Sequence, residues 1–249
     1  MAQDMAIKAV SSKMLLSFRM ENIDSLFPGF MLGDFAVMHG LSSVLPLSLL
    51  LAVKAQLPYQ LGGLESNTVF IDGGNTFRLY HTSRLARLHG LSPKKVLSRI
   101  FISRAFTAHQ MTAIILEKLE ETVKRFNVKF VILSDLTGLY LDKDIQPEES
   151  RDVFTHIATY LSRFAEQTSS IVLATCPQHY YSRRNVFFHA VACGRSNVAI
   201  AIHKKQGSRV GQQFILEKHP VFRLGSADFP SENLTLNDFD ERVNDGEDG

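Results

Sequence analysis

The chain has 249 residues, 45% of them hydrophobic and 21% charged, which suits one sizeable α/β domain with its own core and excludes a disordered or fibrous chain. No apolar run reaches the roughly 18 residues of a membrane span. Residues 1–8 lack the apolar stretch of a secretory signal. The net charge of +2 is unevenly placed: residues 228–249 hold eight acids and one base, and the remainder carries 26 bases against 17 acids, or +9, a pattern that fits an anionic partner or a tail competing for the same basic surface.

Residues 1–22 read as an extension ahead of the core. Residues 35–39 read as a short buried strand, 47–56 as a helix, and 68–72 as a strand ending in the turn Gly73-Gly74-Asn75. A helix over 79–89 closes at Gly90, a suitable residue just past a helix end. Ser92-Pro93 opens another helix, with Ser92 at the N-cap and Pro93 at the first helical position. Strands at 100–104, 129–135 and 170–175 alternate with helices at 108–126 and 148–167. Residues 197–203, 213–217 and 221–224 read as late antiparallel strands joined by short turns. The core is therefore expected over 23–227, followed by an acidic, unstructured tail over 228–249.

Strands alternating with helices predict a mostly parallel central sheet flanked by helices. Ligands of such sheets gather at the C-terminal strand ends, here His39-Gly40, Asp72-Gly73-Gly74-Asn75, Ser134-Asp135 and Thr175-Cys176. The two cysteines, Cys176 and Cys193, form no CxxC pair. No metal site is expected from them, and a reducing cytoplasmic compartment fits their scarcity. His39, His81 and His89 lie in no catalytic or metal-ligand spacing.

Four segments carry a resemblance. They are Ile23-Asp24-Ser25-Leu26-Phe27-Pro28-Gly29-Phe30 with Gly33-Asp34-Phe35; Phe70-Ile71-Asp72-Gly73-Gly74-Asn75-Thr76-Phe77-Arg78; Arg104-Ala105-Phe106-Thr107-Ala108-His109-Gln110; and Phe130-Val131-Ile132-Leu133-Ser134-Asp135. In this order the chain resembles the RecA/RadA recombinase family from about Ile23 to Leu224. The resemblance implies a RecA-like core, a nucleotide site after the first core strand, a Walker B acid at Asp135, and DNA loops after later strands.

The nucleotide motif departs from a working one. A P-loop reads G-x-x-x-x-G-K-[ST], with backbone amides around the phosphates, a lysine on the terminal phosphates and a hydroxyl on Mg²⁺. Here Leu45 stands for the second glycine, Pro46 for the lysine and Leu47 for the hydroxyl residue. Gly40, Ser42, Ser43, Ser48 and Asp135 remain as a degenerate nucleotide site. The resemblance places the acid that activates the attacking water at position 74, which is glycine, and the sensor glutamine near Gln178. The expectation is a pseudo-ATPase with no catalytic residues, and with ATP or Mg²⁺ binding at most residual.

The first expected DNA loop, 142–149, is acidic. The second, 178–189, offers Tyr180, Tyr181, Arg183, Arg184 and Phe187, and Lys204 and Lys205 extend its basic surface. Arginines that neutralise phosphates beside aromatics that stack bases are the usual mixture for single-stranded DNA; the same loop also fits a protein-docking anchor. The expected role is a non-catalytic accessory in recombination and repair. It would bind single-stranded DNA, a recombinase or another RecA-fold paralog, without membrane contact, in the cytoplasm with the nucleoid or in a nucleus. Two alternatives stand: an ATPase with an unusual P-loop, and a structural subunit that only docks a partner.

Overall fold

The computed structural model describes residues 15–179, 181–208 and 211–230. A two-stranded antiparallel sheet of β1 (Leu15–Leu16) and β2 (Phe30–Met31) brackets the short helix α1 (Glu21–Asp24). The main sheet begins at β3 (Phe35–Gly40) and continues with β4 (Asn67–Asp72), β5 (Ile100–Arg104), β6 (Val128–Ser134), β7 (Ile171–Pro177), β8 (Val198–Lys204), β9 (Gly211–Lys218) and β10 (Gly225–Pro230). Its strand order is β10-β9-β8-β3-β7-β6-β4-β5. The six strands from β8 to β5 run parallel, and β9 and β10 join antiparallel at one side. This is the mostly parallel α/β sheet with late antiparallel strands that the sequence predicts.

The parallel strands are apolar on both faces because helices cover both. Side chains alternate across the sheet. Ala36, Met38, Phe70, Phe130, Ile132 and Leu173 enter one core with α2 (Val44–Lys54), α3 (Leu79–Leu88) and α4 (Pro93–Ser98). Phe35, Val37, Ile71, Val131, Leu133 and Val172 enter the other. The second core is closed by α5 (Ala108–Ala113), a π turn (Ile114–Lys118), α6 (Leu119–Arg125), α7 (Pro147–Thr168) and α8 (Arg183–Arg195).

Four sequence expectations change. The helix after β3 starts at Val44, not 47, which puts Pro46 in the first turn, where no intrahelical N–H is needed. The helix expected over 108–126 is interrupted by the π turn. Residues read as a loop up to 189 are helical from Arg183, because the Ser182 side chain caps the helix by accepting from the Asn185 amide at 3.0 Å. The last strand lies at Gly225–Pro230 instead of 221–224, so it takes in the first residues of the acidic segment.

In register, Gly40 lies beside Pro177 and Ile202, and Asp72 beside Ser134 and Arg104. The C-terminal strand ends are thus gathered along one edge. Among the described residues no helix is long and apolar enough to cross a membrane.

Candidate functional site

Asp72 anchors the strand-end edge. Its carboxylate is fully buried and accepts from the Thr76 amide at 2.7 Å, the Thr76 hydroxyl at 3.1 Å and the Phe77 amide at 3.3 Å. Arg104 Nε donates to it from 3.3 Å, with its Nη2 at 3.2 Å. The Thr76 hydroxyl also shares a 2.6 Å hydrogen bond with that of Ser134. The spacing Asp72-x-x-x-Thr76 and the distant Arg104 therefore have a common cause. A buried carboxylate needs donors, and these fix the turn after β4 against β5 and β6.

The turn after β3 is short. Gly40 has φ 108°, and a Cβ there would sit 2.3 Å from the Ile202 carbonyl oxygen, so only glycine fits. Three residues, Leu41, Ser42 and Ser43, then lead into α2. The Leu41 amide donates to Ile202 O at 2.9 Å, Val44 to Leu41 O and Leu45 to Ser42 O at 3.1 Å each, and Leu47 to Ser43 O at 3.1 Å. Ser43 Oγ donates to Gln212 Oε1 at 2.8 Å, and the buried Ser48 hydroxyl to Leu45 O at 2.7 Å. Leu47 is wholly in the core. Leu45 and Pro46 instead border a cavity of about 800 Å³ whose wall continues through Ser42, Leu49, Thr76, Phe77, Arg78, Tyr80 and Arg84.

Asp135 follows β6 with φ 55°. Its amide donates to Thr175 Oγ1 at 3.0 Å, and its Oδ1 accepts from the Gly138 amide at 3.1 Å. Oδ1 also lies 2.7 Å from His179 Nε2. That hydrogen bond, with the carboxylate's charge behind it, raises the His179 pKa against the effect of burial. Asp135 fills the space beside Gly74 and Gly138. A Cβ at 74 would meet Asp135 Cβ at 2.9 Å and Thr76 Cγ2 at 2.8 Å, and one at 138 would meet Asp135 Oδ2 at 2.6 Å. His179 was legible only as one member of a loop. Nothing in the sequence pairs it with Asp135. Gln178 is tied to the site by its backbone, whose amide donates to Gly40 O at 2.7 Å.

The basic residues separate on the structure. Tyr181 is 88% exposed, and Arg183 is exposed at the start of α8. Arg184 turns inward and donates to the carbonyls of Asp142 at 2.6 Å and Ile145 at 3.2 Å. Phe187 is half-buried, with the Arg151 guanidinium over its ring at 5.3 Å. Lys204 is exposed at the end of β8, and Lys205 Nζ pairs with Asp228 Oδ2 at 2.6 Å. Tyr180 lies outside the described residues. Asn185 and Val186 of α8 and His203 of β8 border one cavity, so the start of α8 and the end of β8 flank a common opening.

Parallel strands, helices on both faces and a strand-end edge built on Asp72, Asp135 and the turn after β3 define a RecA-like α/β protein. The Rad51 family model matches residues 20–176, and the chain belongs to that family. It is 35% identical over 118 residues to the DNA repair and recombination protein RadA of Aeropyrum pernix, covering 47% of this chain and 34% of that protein. It is 32% identical over 130 residues to the protein of the same name from Cenarchaeum symbiosum, covering 50% of this chain and 32% of the relative. The match spans about a third of the length of these curated relatives.

Proposed function

We propose that this chain is a recombination and repair accessory that contacts single-stranded DNA without hydrolysing ATP. The observation that carries the reading is the turn after β3. The amides of Leu41, Val44 and Leu45 already donate to carbonyls, Pro46 has no amide hydrogen, and the Ser43 and Ser48 hydroxyls have partners inside the protein. No lysine follows until Lys54, which is buried at the end of α2. These donors are committed inside the protein and no lysine stands beside them, whereas a Mg-triphosphate needs several free donors and a cation together. The position that would carry the water-activating acid is a glycine packed against Asp135. Family membership and likeness to proteins named for DNA repair and recombination support the pathway.

The DNA contact is assigned to Tyr181, Arg183 and Lys204. Arg184 and Phe187 act from behind: the first holds the 142–145 segment and the second packs under Arg151. Such a role places the chain wherever the cell keeps its DNA. Docking to a recombinase or another RecA-fold paralog is the second reading, favoured by Leu79, Tyr80 and Phe106, which are 52%, 88% and 70% exposed.

Fluorescence anisotropy of a labelled single-stranded oligonucleotide, at two salt concentrations and with or without Mg-ATP, tests the proposal. The expected result is binding that weakens with salt and ignores ATP. Arg183→Ala should lower both affinity and salt dependence, by about one counterion's share of the slope. No binding at low salt would sink the DNA assignment and leave the docking reading; steady ATP turnover abolished by Asp135→Ala would sink the non-catalytic one.

A further inference from the structure

A second cluster of chemistry-bearing side chains lies just before the β3 turn, and neither nucleotide nor DNA accounts for it. His39, the penultimate residue of β3, is 7% exposed. Its ring meets that of His189 edge-on with centroids 4.2 Å apart. His189 Nε2 is in turn 3.6 Å from Cys193 Sγ. His189 and Cys193 are four residues apart on α8, so both project from one face of the helix. One donor atom from each of the three residues lies within 4.8 Å of the other two. The Glu217 carboxylate, from β9, stands 2.8 Å from His39 Nε2. A cavity of about 380 Å³ has His39, His189 and His203 in its wall.

We propose that His39, His189 and Cys193 form a binding site for a divalent zinc-type ion, with Glu217 as the adjoining carboxylate. Two imidazoles and a thiolate are the donors of a borderline-soft, tetrahedral ion and poor donors for Mg²⁺ or Ca²⁺, which take oxygen. Ligands about 2.0–2.3 Å from a tetrahedral centre stand roughly 3.3–3.8 Å from one another. The 3.6 Å sulfur–nitrogen distance falls in that range, and the spread within 4.8 Å closes by small side-chain rotations. A Cys193 thiolate and the Glu217 carboxylate together balance the two positive charges. Water or an incoming donor would complete the shell.

Burial, then the Glu217 charge, push the Cys193 thiol up to about 11, and burial and the neighbouring His39 lower His189. The ion would displace the Cys193 proton to solvent. It would also tie β3, α8 and β9 together at the strand-end edge.

The test uses the full chain, stripped of metal and titrated with Co²⁺ as a spectroscopic probe. One equivalent should bring thiolate-to-cobalt charge-transfer absorption and the intense visible bands of a four-coordinate ion, and Zn²⁺ should displace it. Cys193→Ser should remove the charge-transfer band and weaken Zn²⁺ binding by more than the roughly 10–100-fold expected of an outer partner; Glu217→Gln should keep the band and weaken binding within that range. His189→Ala is the second ligand variant, with circular dichroism reporting that each variant is folded. Absence of the band in the unmodified chain, or its persistence in Cys193→Ser, overturns the proposal. Because the readout needs neither DNA nor ATP, it succeeds or fails independently of the accessory role.

Discussion

At the scale of single residues, Gly74 and Asp135 explain each other. A missing acid can mean an empty place that a substitution would refill, or a place that is already occupied. Here the Asp135 carboxylate occupies it, and a Cβ at 74 would stand 2.8–3.0 Å from Thr76 and Asp135 atoms. Gly74→Glu is therefore expected to cost about 1–3 kcal/mol through overpacking and to bring no ATP turnover; chemical denaturation and a phosphate-release assay check the two halves. Asp135 itself is half of a pair with His179. In the unfolded chain the imidazole titrates near 6.5, and in the folded chain the Asp135 hydrogen bond raises that value. The folded state favours the protonated ring, so the added stability is complete below about pH 6.5 and is lost as pH rises through the folded value. The gap in unfolding midpoint between the parent and His179→Asn should then narrow as pH is raised from about 6 to 9. A gap that widens would show that the pair does not work this way.

At the scale of elements, the turn between β3 and α2 is a folding solution in its own right. Its donors satisfy carbonyls of the same turn and of β8, and Leu47 belongs to the core. Rewriting it toward a working motif by Leu45→Gly, Pro46→Lys and Leu47→Thr should lower stability by about 2–4 kcal/mol, through a glycine in the first helical turn and a buried hydroxyl in place of an apolar side chain. Thermal unfolding would read that loss. Mg-ATP should not raise the midpoint of the rewritten protein, and a rise would mean that the turn retains its cradle. In α8 one run of sequence serves two purposes. Its first turn exposes Arg183, while Phe188 and Ala192 pack into the core. Arginines and aromatics in a row read equally well as a binding loop, because the helical period of so short a buried stripe is masked by its basic neighbours.

At the scale of the whole molecule, charge is divided between a basic body and an acidic end. Asp228, at the first acidic position of that end, already pairs with Lys205. An exposed pair of this kind contributes little to stability, yet it holds an acid of the segment against the residue next to Lys204, one of the residues assigned to DNA. Removing residues 231–249 takes away seven acids and one base, leaving 26 bases against 18 acids. The shortened chain should bind single-stranded DNA more tightly at low salt, with the advantage shrinking as salt rises. Equal affinities at low salt would mean that the acidic residues do not compete for that surface.

Much of the fold was legible in the chain. The apolar runs of β3, β6 and β7, the Asp72-to-Arg78 turn, Gly90 and Ser92-Pro93 each carry a local rule strong enough to be read alone, and their alternation with helical stripes implies the parallel sheet. That Pro46 stands where the family resemblance expects the P-loop lysine was likewise read from sequence. What tertiary structure alone decided is which side chains meet. His39 joins His189 and Cys193, His179 joins Asp135, Arg184 turns inward to the 142–145 segment, and Arg104 reaches Asp72. Strand order sets these meetings: β3, early in the chain, lies between the late strands β7 and β8. Periodicity and capping act over a few residues, whereas a parallel sheet brings together strand ends that are remote along the chain.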